Sequence, residues 1–211
     1  MTKPFKPKNC PICKLDFTPQ RPIQKVCSPK CAYEHSKKLL AKKEAKEIGQ
    51  RIEAIKKDLI GIPELKNRLE HYINKIVRLI DKGHPCISSN ASYGTYTVHA
   101  GHFYSVGSNG SIRFNLLNIY AQSNADNIYK SGNQTQYRLN LVKLFGDDLI
   151  NEIEGLTSKY PLFKPTKQEM IGYIQKARAI MLRLERDNKI YSTSERIGLR
   201  KDFNGVIGIY N

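Results

Sequence analysis

His102 closes a short apolar-aromatic run, Tyr96-Thr97-Val98, that continues through His99-Ala100-Gly101. A Gly/Ser/Asn loop follows, then a β-like piece at Ile112-Arg113-Phe114, then Asn118, Gln122 and Asn127 on an expected helix. An imidazole at a strand end can act as general base toward water, and amide or imidazole groups beside it can ligate a divalent ion. His102 is the candidate base. Asn127 and His99 are the candidate ligands of a divalent ion, and Asn118 completes the candidate catalytic set, with a local reading as an amide that pins the loop through backbone hydrogen bonds. His99 and His102 are three residues apart, so on a strand they converge only if Gly101 permits a kink.

The order of these parts resembles that of ββα-metal (HNH-like) nucleases, and the residues resemble the NinG (Rap) family of phage recombination endonucleases in detail. Ala100-Gly101-His102-Phe103, Arg113-Phe114-Asn115, Asn118, Gln122, Asn127, Lys130, Gly132-Asn133 and Tyr137-Arg138 carry the likeness, which is close over residues 83–146 and weaker over the last sixty or so. The core is also similar to the phage endonuclease VII. The resemblance implies a structure-specific DNA endonuclease acting on branched recombination intermediates of the Holliday-junction type, with His102 as base, Asn127 on a catalytic Mg or Mn ion, and a bacterial host cytoplasm as its setting. Three departures accompany it. The family's four core cysteines fall at Cys86, Ser89, Ser123 and Asp126, its histidine in the Asn-x-His step falls at Tyr120, and an Asp three residues before the base falls at His99.

With one thiol left of four, the core offers too few soft ligands for a structural zinc. Packing by Ile87, Ile119, Tyr120, Ile128 and Tyr129 is the expected substitute. Rival functions are a DNA-binding recombination accessory protein without catalysis, or an HNH nuclease with another duty such as restriction or packaging, since one core serves many duties.

A second set of ligand residues lies at the amino terminus. Cys10-Pro11-Ile12-Cys13 and Cys27-Ser28-Pro29-Lys30-Cys31 are separated by thirteen residues. Two closely spaced cysteine pairs at that separation are a zinc signature, because a tetrahedral ion needs four thiolates and each pair forms a knuckle. Disulfides are the weaker reading: the cysteine count of five is odd, and the first residues lack the apolar run of a signal peptide.

The chain is 211 residues, 40% hydrophobic, with a net charge of +16. That balance excludes an acidic-substrate repeller and points to a polyanion, here branched or double-stranded DNA. The charge is uneven: residues 1–82 carry +11, residues 83–146 carry +3, and residues 147–211 carry +2. The basic helix with Lys37, Lys38, Lys42 and Lys43 is therefore the main candidate DNA contact, and Arg113 and Lys130 are candidates for holding flanking phosphates.

The fold class expected is α+β: a four-cysteine module (1–35), a basic helical segment (36–82), the ββα-metal core (83–146) and a helical carboxy-terminal region (147–211) ending in a hairpin. Ile48, Ile52, Ile55 and Leu59 mark one face of a helix over Ser36 to Ile60, a possible homodimer seam. Leu65, Leu69, Ile73, Ile76 and Ile80 mark a second that starts at Pro63. Helices are predicted over Gln134 to Phe145, over Asp147 to Glu154 with Gly155 as the stop, and from the Thr166 capping box. Asn204-Gly205 between apolar runs predicts the terminal hairpin.

Overall fold

The computed structural model describes residues 5–160 and 162–210, with the side chains of 54 and 56–58 outside that description. Two compact units divide at Ile60/Gly61.

In the first unit, β1 (Lys8–Asn9) pairs antiparallel with β2 (Asp16–Phe17), and a single long helix, α1 (Pro29–Leu59), follows. The helix starts seven residues earlier than Ser36. Ser28 caps it, its hydroxyl accepting the Cys31 N–H at 3.3 Å, and Pro29 sits in the first turn where a missing N–H costs nothing. Ile48, Ile52, Ile55 and Leu59 stand exposed along it.

The second unit is built on the ribbon of β3 (Val98–His102) and β4 (Ile119–Ser123), antiparallel with His99 opposite Gln122, Gly101 opposite Tyr120 and His102 opposite Ile119. Helix α2 (Ile62–Ile80) buries Leu65, Leu69, Ile73, Ile76, Val77 and Ile80 against α5 (Lys167–Asp187) and the ribbon. Each such side chain contributes about 1.5–3 kcal/mol when withdrawn from water. On the ribbon's other flank α3 (Gln134–Phe145) and α4 (Asp147–Lys159) close a core of Ile87, Phe103, Ile112, Leu117, Tyr120, Tyr137, Leu141, Leu149, Ile150 and Ile153.

Several local expectations are corrected. Ile112 ends a 3-10 turn (Gly110–Ile112) rather than opening a strand, and Asn118 ends another (Leu116–Asn118). Gln122 lies on β4 and Asn127 in one turn of π-helix (Ala125–Tyr129), so the expected helix through all three is absent. Helix α4 runs past Gly155 to Lys159, because glycine inside a helix weakens it by only about 1 kcal/mol and Leu149, Ile150 and Ile153 are already anchored.

The terminal hairpin does not form. Residues Thr193–Ile207 are one helix, α6, opened by a reciprocal capping box of Ser192 and Glu195. Its buried positions are Arg196, Arg200, Phe203 and Ile207, at helical spacing. Two of the four are arginines, so the apolar periodicity was hidden. They are buried because Asp81, at the end of α2 and 1% exposed, takes both: Arg196 at 2.8 Å and Arg200 at 2.8 Å, while the Ala121 N–H donates to it at 2.7 Å. Burial raises the Asp81 pKa, but the two guanidiniums outweigh this and hold it below the ordinary value. The Arg200 guanidinium also lies 4.1 Å from the Tyr120 ring centroid.

Candidate active site and thiolate cluster

The Ala-Gly-His step is held from three sides. Tyr137, fully buried on α3, donates its hydroxyl to the Gly101 carbonyl at 2.9 Å. Asn118 is also fully buried: its amide oxygen accepts the Tyr104 N–H at 2.8 Å, its amide nitrogen donates to the Tyr104 carbonyl at 3.0 Å, and its carbonyl accepts the Phe103 N–H at 2.8 Å. Those bonds take up one donor and one acceptor of the amide, and through them Asn118 holds the chain leaving β3 in place. Gly101 has another duty than a kink. A Cβ there would meet the Gln122 Oε1 at 2.0 Å, so only glycine lets that buried side chain cross the strand.

His102 is half-buried, and its Nε2 lies 2.9 Å from the Arg113 carbonyl. A carbonyl only accepts, so Nε2 carries the proton and Nδ1 keeps a free lone pair. Burial lowers the His102 pKa below its ordinary value, against the opposing pull of the Arg113 carbonyl, and so favours the neutral ring. It opens on a cleft of ≈ 930 Å³ whose lining includes Tyr104, Asn127, Gly132, Arg138 and Leu139. Asn127 also stands with its amide nitrogen atom 3.5 Å from the His99 Nδ1. With the amide turned over, an oxygen and an imidazole nitrogen face one another. Asn127 is thus common to both groups, lining the cleft with His102 and touching His99.

The two cations assigned to phosphates each have a carboxylate of their own. Arg113 meets Glu70 of α2 at 2.6 Å, and Lys130 meets Asp126 at 2.9 Å. Arg138, quoted in the sequence likeness but not singled out, is the cation on the cleft wall; it shares Glu154, at 3.1 Å, with the Tyr104 hydroxyl. Its place, one residue after the core-facing Tyr137 on α3, was the available signal.

Beneath Asn127 lies a polar network where the family's core cysteines fall. Ser88 donates to Asp126 at 2.7 Å; Gln122 donates to Ser88 at 2.9 Å and to the Gly132 carbonyl at 2.6 Å; Asn133 donates to the Ser88 carbonyl at 2.9 Å. The Ser123 N–H points at the Cys86 sulfur, 3.1 Å away, and the Asp126 N–H at the Ser123 hydroxyl, 3.1 Å away. Burial raises the Asp126 pKa, but Lys130, Ser88 and Asn133 outweigh it and keep the carboxylate ionised. Ile87, Ile119 and Tyr120 are buried as expected, but Ile128 and Tyr129 are exposed. Hydrogen bonds, more than apolar packing, tie this knuckle.

The amino-terminal cysteines do meet. The sulfurs of Cys10, Cys13, Cys27 and Cys31 all lie within 4.8 Å of one another, Cys13 to Cys27 at 3.4 Å and Cys27 to Cys31 at 3.6 Å, and all four are free thiols. Four sulfurs around one tetrahedral zinc at bonds of about 2.3 Å stand roughly 3.8 Å apart. The donor set and spacing therefore fit zinc. The first knuckle is shaped by Lys14 at φ 64°, with the Lys14 N–H donating to the Cys10 carbonyl at 2.9 Å. Burial raises the Cys10 pKa, but backbone N–H groups of Cys13, Cys27 and Ile12 bring it down to about 6. Cys27 is pushed up to about 12, first by its hydrogen bond with Cys13.

Among the described residues no helix is long and apolar enough to cross a membrane. No solved structure matches the chain. Residues 1–187 match the family profile described as Bacteriophage Lambda NinG protein. Relatives called protein ninG include those of Escherichia phage 933W, 32% identical over 176 residues, and of Enterobacteria phage H19B, 34% identical over 179, each alignment covering 74% of this chain and 83% of the relative. The namesake of Escherichia phage lambda is 36% identical over 86 residues, 39% of this chain and 40% of its own. With most of its length matched, the chain belongs to the NinG family of bacteriophage proteins.

Proposed function

We propose that this protein is a metal-dependent endonuclease that hydrolyses phosphodiesters in branched DNA during phage recombination. The observation that carries the reading is the cleft in which a neutral His102, proton fixed on Nε2 by the Arg113 carbonyl, shares a wall with Asn127. His102 takes a proton from water at Nδ1, the nitrogen left free. Asn127 offers a hard amide oxygen and His99 a borderline imidazole nitrogen, and the pair would hold a divalent ion, Mn more readily than Mg. When bound, that ion stabilises charge on the phosphate and the leaving oxygen. Asn118 and Tyr137 keep the base at its place by fixing the strand end.

Arg138 lines the cleft and is a cationic group for a phosphate, sharing its charge with Glu154. Lys37, Lys38, Lys42 and Lys43 stand exposed on α1 and supply sequence-independent attraction to the DNA backbone. The thiolate cluster holds one structural zinc, and the exposed stripe Ile48, Ile52, Ile55, Leu59 supports pairing of two copies, each gripping an arm of a junction.

The test is incubation of the full chain with a labelled four-way junction and with its linear duplex, with and without Mg or Mn. Metal-dependent cleavage of the junction is expected, and His102→Ala should reduce it by about 100- to 10,000-fold while binding persists. Wild-type-like cleavage by that variant removes His102 from the chemistry. Binding without cleavage under any metal makes the protein a recombination accessory, and equal cleavage of both substrates gives it another nuclease duty.

A further inference from the structure

Ile128 and Tyr129 are the structure's unexplained pair. They follow Asn127 in the same π-helical turn, yet they are 56% and 79% exposed. Single exposed apolar residues are ordinary on any protein surface. Two adjacent ones beside a cleft are less so, and Leu139 on the cleft wall is exposed as well, at 57%. Tyr129 takes part in none of the ring contacts formed among the described residues.

The turn that presents them is firmly fixed. Asp126, one residue before Asn127 and 1% exposed, accepts from Ser88, while the Gly132 N–H donates to the Asp126 carbonyl at 2.9 Å and the Asn133 N–H to the Lys130 carbonyl at 2.8 Å. Ser131, Gly132 and Asn133 follow in succession with positive φ, a reversal that returns the chain to α3. Turns of π-helix are enriched at functional sites. An aromatic ring is therefore held in water, on a rigid mount, next to the residue that both lines the cleft and touches His99.

The chain's charge of +16 makes a polyanion the complementary occupant. Along a regular duplex, phosphates and sugars face outward and base faces are stacked away, so an exposed ring has nothing flat to cover. At a branch point the stacking is interrupted and base faces become available. Proteins use aromatic rings as platforms for such faces and apolar side chains as wedges between base steps.

We propose that Tyr129, with Ile128 beside it, stacks on an unstacked base at the branch point and so determines the preference for branched over linear DNA. The inference rests on the nuclease reading for its substrate and deepens it with a specificity-determining residue. Tyr129 is outside the proposed chemistry: it neither holds an ion nor moves a proton.

The experiment uses the full chain and a synthetic four-way junction with 2-aminopurine at the branch, a second junction with the probe inside an arm, and the corresponding linear duplex. Affinity and probe fluorescence are read without the catalytic metal, so that neither depends on cleavage. Expected are a fluorescence change at the branch probe alone and a loss of junction affinity of about 5- to 150-fold in Tyr129→Ala, the span of one base stacked on one aromatic ring. Duplex affinity should stay within about twofold, and Tyr129→Phe should keep the parent's behaviour, since the ring and not the hydroxyl does the stacking. So exposed a side chain can be cut back without unfolding the protein, and an unchanged circular dichroism spectrum checks this.

An unchanged ratio of junction to duplex affinity in Tyr129→Ala overturns the inference, as does equal weakening on both DNAs. If the protein selects junctions through Tyr129 but never cleaves them, the nuclease reading fails and the stacking assignment stands. A protein with no preference for junctions overturns both.

Discussion

Two knuckles in this protein solve one problem by different chemistry. Each must tie a pair of short turns to each other. The amino-terminal knuckle brings Cys10, Cys13, Cys27 and Cys31 within 4.8 Å of one another, around a centre that four thiolates and a zinc ion fit. The core knuckle has Cys86, Ser89, Ser123 and Asp126 at the positions that resemblance assigns to cysteines. There Ser88, Gln122, Asn133 and Lys130 converge on the Asp126 carboxylate or its immediate neighbours. The difference teaches what each unit can rely on. Among the described residues the first unit has a hairpin of two-residue strands, one helix and few buried side chains, so a bound zinc would supply most of its stability. The second has a packed core over which a local network need only add direction.

Zinc removal breaks the comparison most severely. Zinc binding in small thiolate sites contributes on the order of 10 kcal/mol or more, which exceeds what the first unit's packing can replace. A strong chelator should unfold the amino-terminal knuckle while the resonances of the β3–β4 ribbon stay in place, as followed by NMR. Elemental analysis should return about one zinc per chain in the parent, none in Cys13→Ser, and an unchanged value in Cys86→Ser. Two zincs per chain, or a loss with Cys86→Ser, would show that the core also binds metal.

Restoring the core's thiols sharpens the same contrast. Cys86 is already in place, its sulfur accepting the Ser123 N–H at 3.1 Å. Ser89→Cys, Ser123→Cys and Asp126→Cys together should raise the content to about two zincs per chain, since four thiols on two short turns are the donor set a structural zinc needs. A triple variant that still carries one zinc would mean the turns have drifted out of ligand range.

Asp126 carries the next effect. Replacing it with Ala leaves the buried Ser88 hydroxyl only the weaker acceptor of the Cys86 sulfur, 3.4 Å away, and a poorly satisfied buried donor costs about 1–3 kcal/mol. The loss should appear as a lower denaturation midpoint of the second unit. Its pH dependence has a definite sign: the folded pKa is depressed, so the stabilisation is present above the unfolded value of about 3.9 and disappears as pH falls through the lower folded one. The thiolate knuckle behaves oppositely in range, since zinc competes with protons for sulfur at milder acidity. Lowering the pH from 7 to 5 should therefore release zinc from the first unit and leave the second intact; simultaneous loss of both would merge the two cases.

The sequence shows these regions unequally. Four cysteines at knuckle spacing announce their meeting, and the stripe Leu65, Leu69, Ile73, Ile76, Ile80 announces a helix, because both signals lie in residue type and interval alone. The pairing of His102 with the Arg113 carbonyl was invisible, since it uses a backbone atom eleven residues away. Helix α6 was missed because its buried face is half arginine, and only Asp81, 115 residues before Arg196, makes that face tolerable inside the protein. Ile128 and Tyr129 read as core by hydropathy; polar bonds had already filled the space beneath them.

Lys130 gives the smallest effect and separates two roles that the geometry superimposes. Its ammonium lies 2.9 Å from Asp126, but its side chain is 62% exposed while the carboxylate is 1% exposed. An ion pair with one end in water contributes at most about 1 kcal/mol, and Asp126 retains its bonds from Ser88 and Asn133 without it. Lys130→Gln should therefore shift the denaturation midpoint far less than Asp126→Ala. If Lys130 also meets a phosphate, DNA affinity will fall uniformly across sequences and the log-log salt slope will shrink by about 0.9. A destabilisation equal to that of Asp126→Ala would show that the core knuckle depends on its surface cation, and the contrast with the self-contained thiolate knuckle would have to be redrawn.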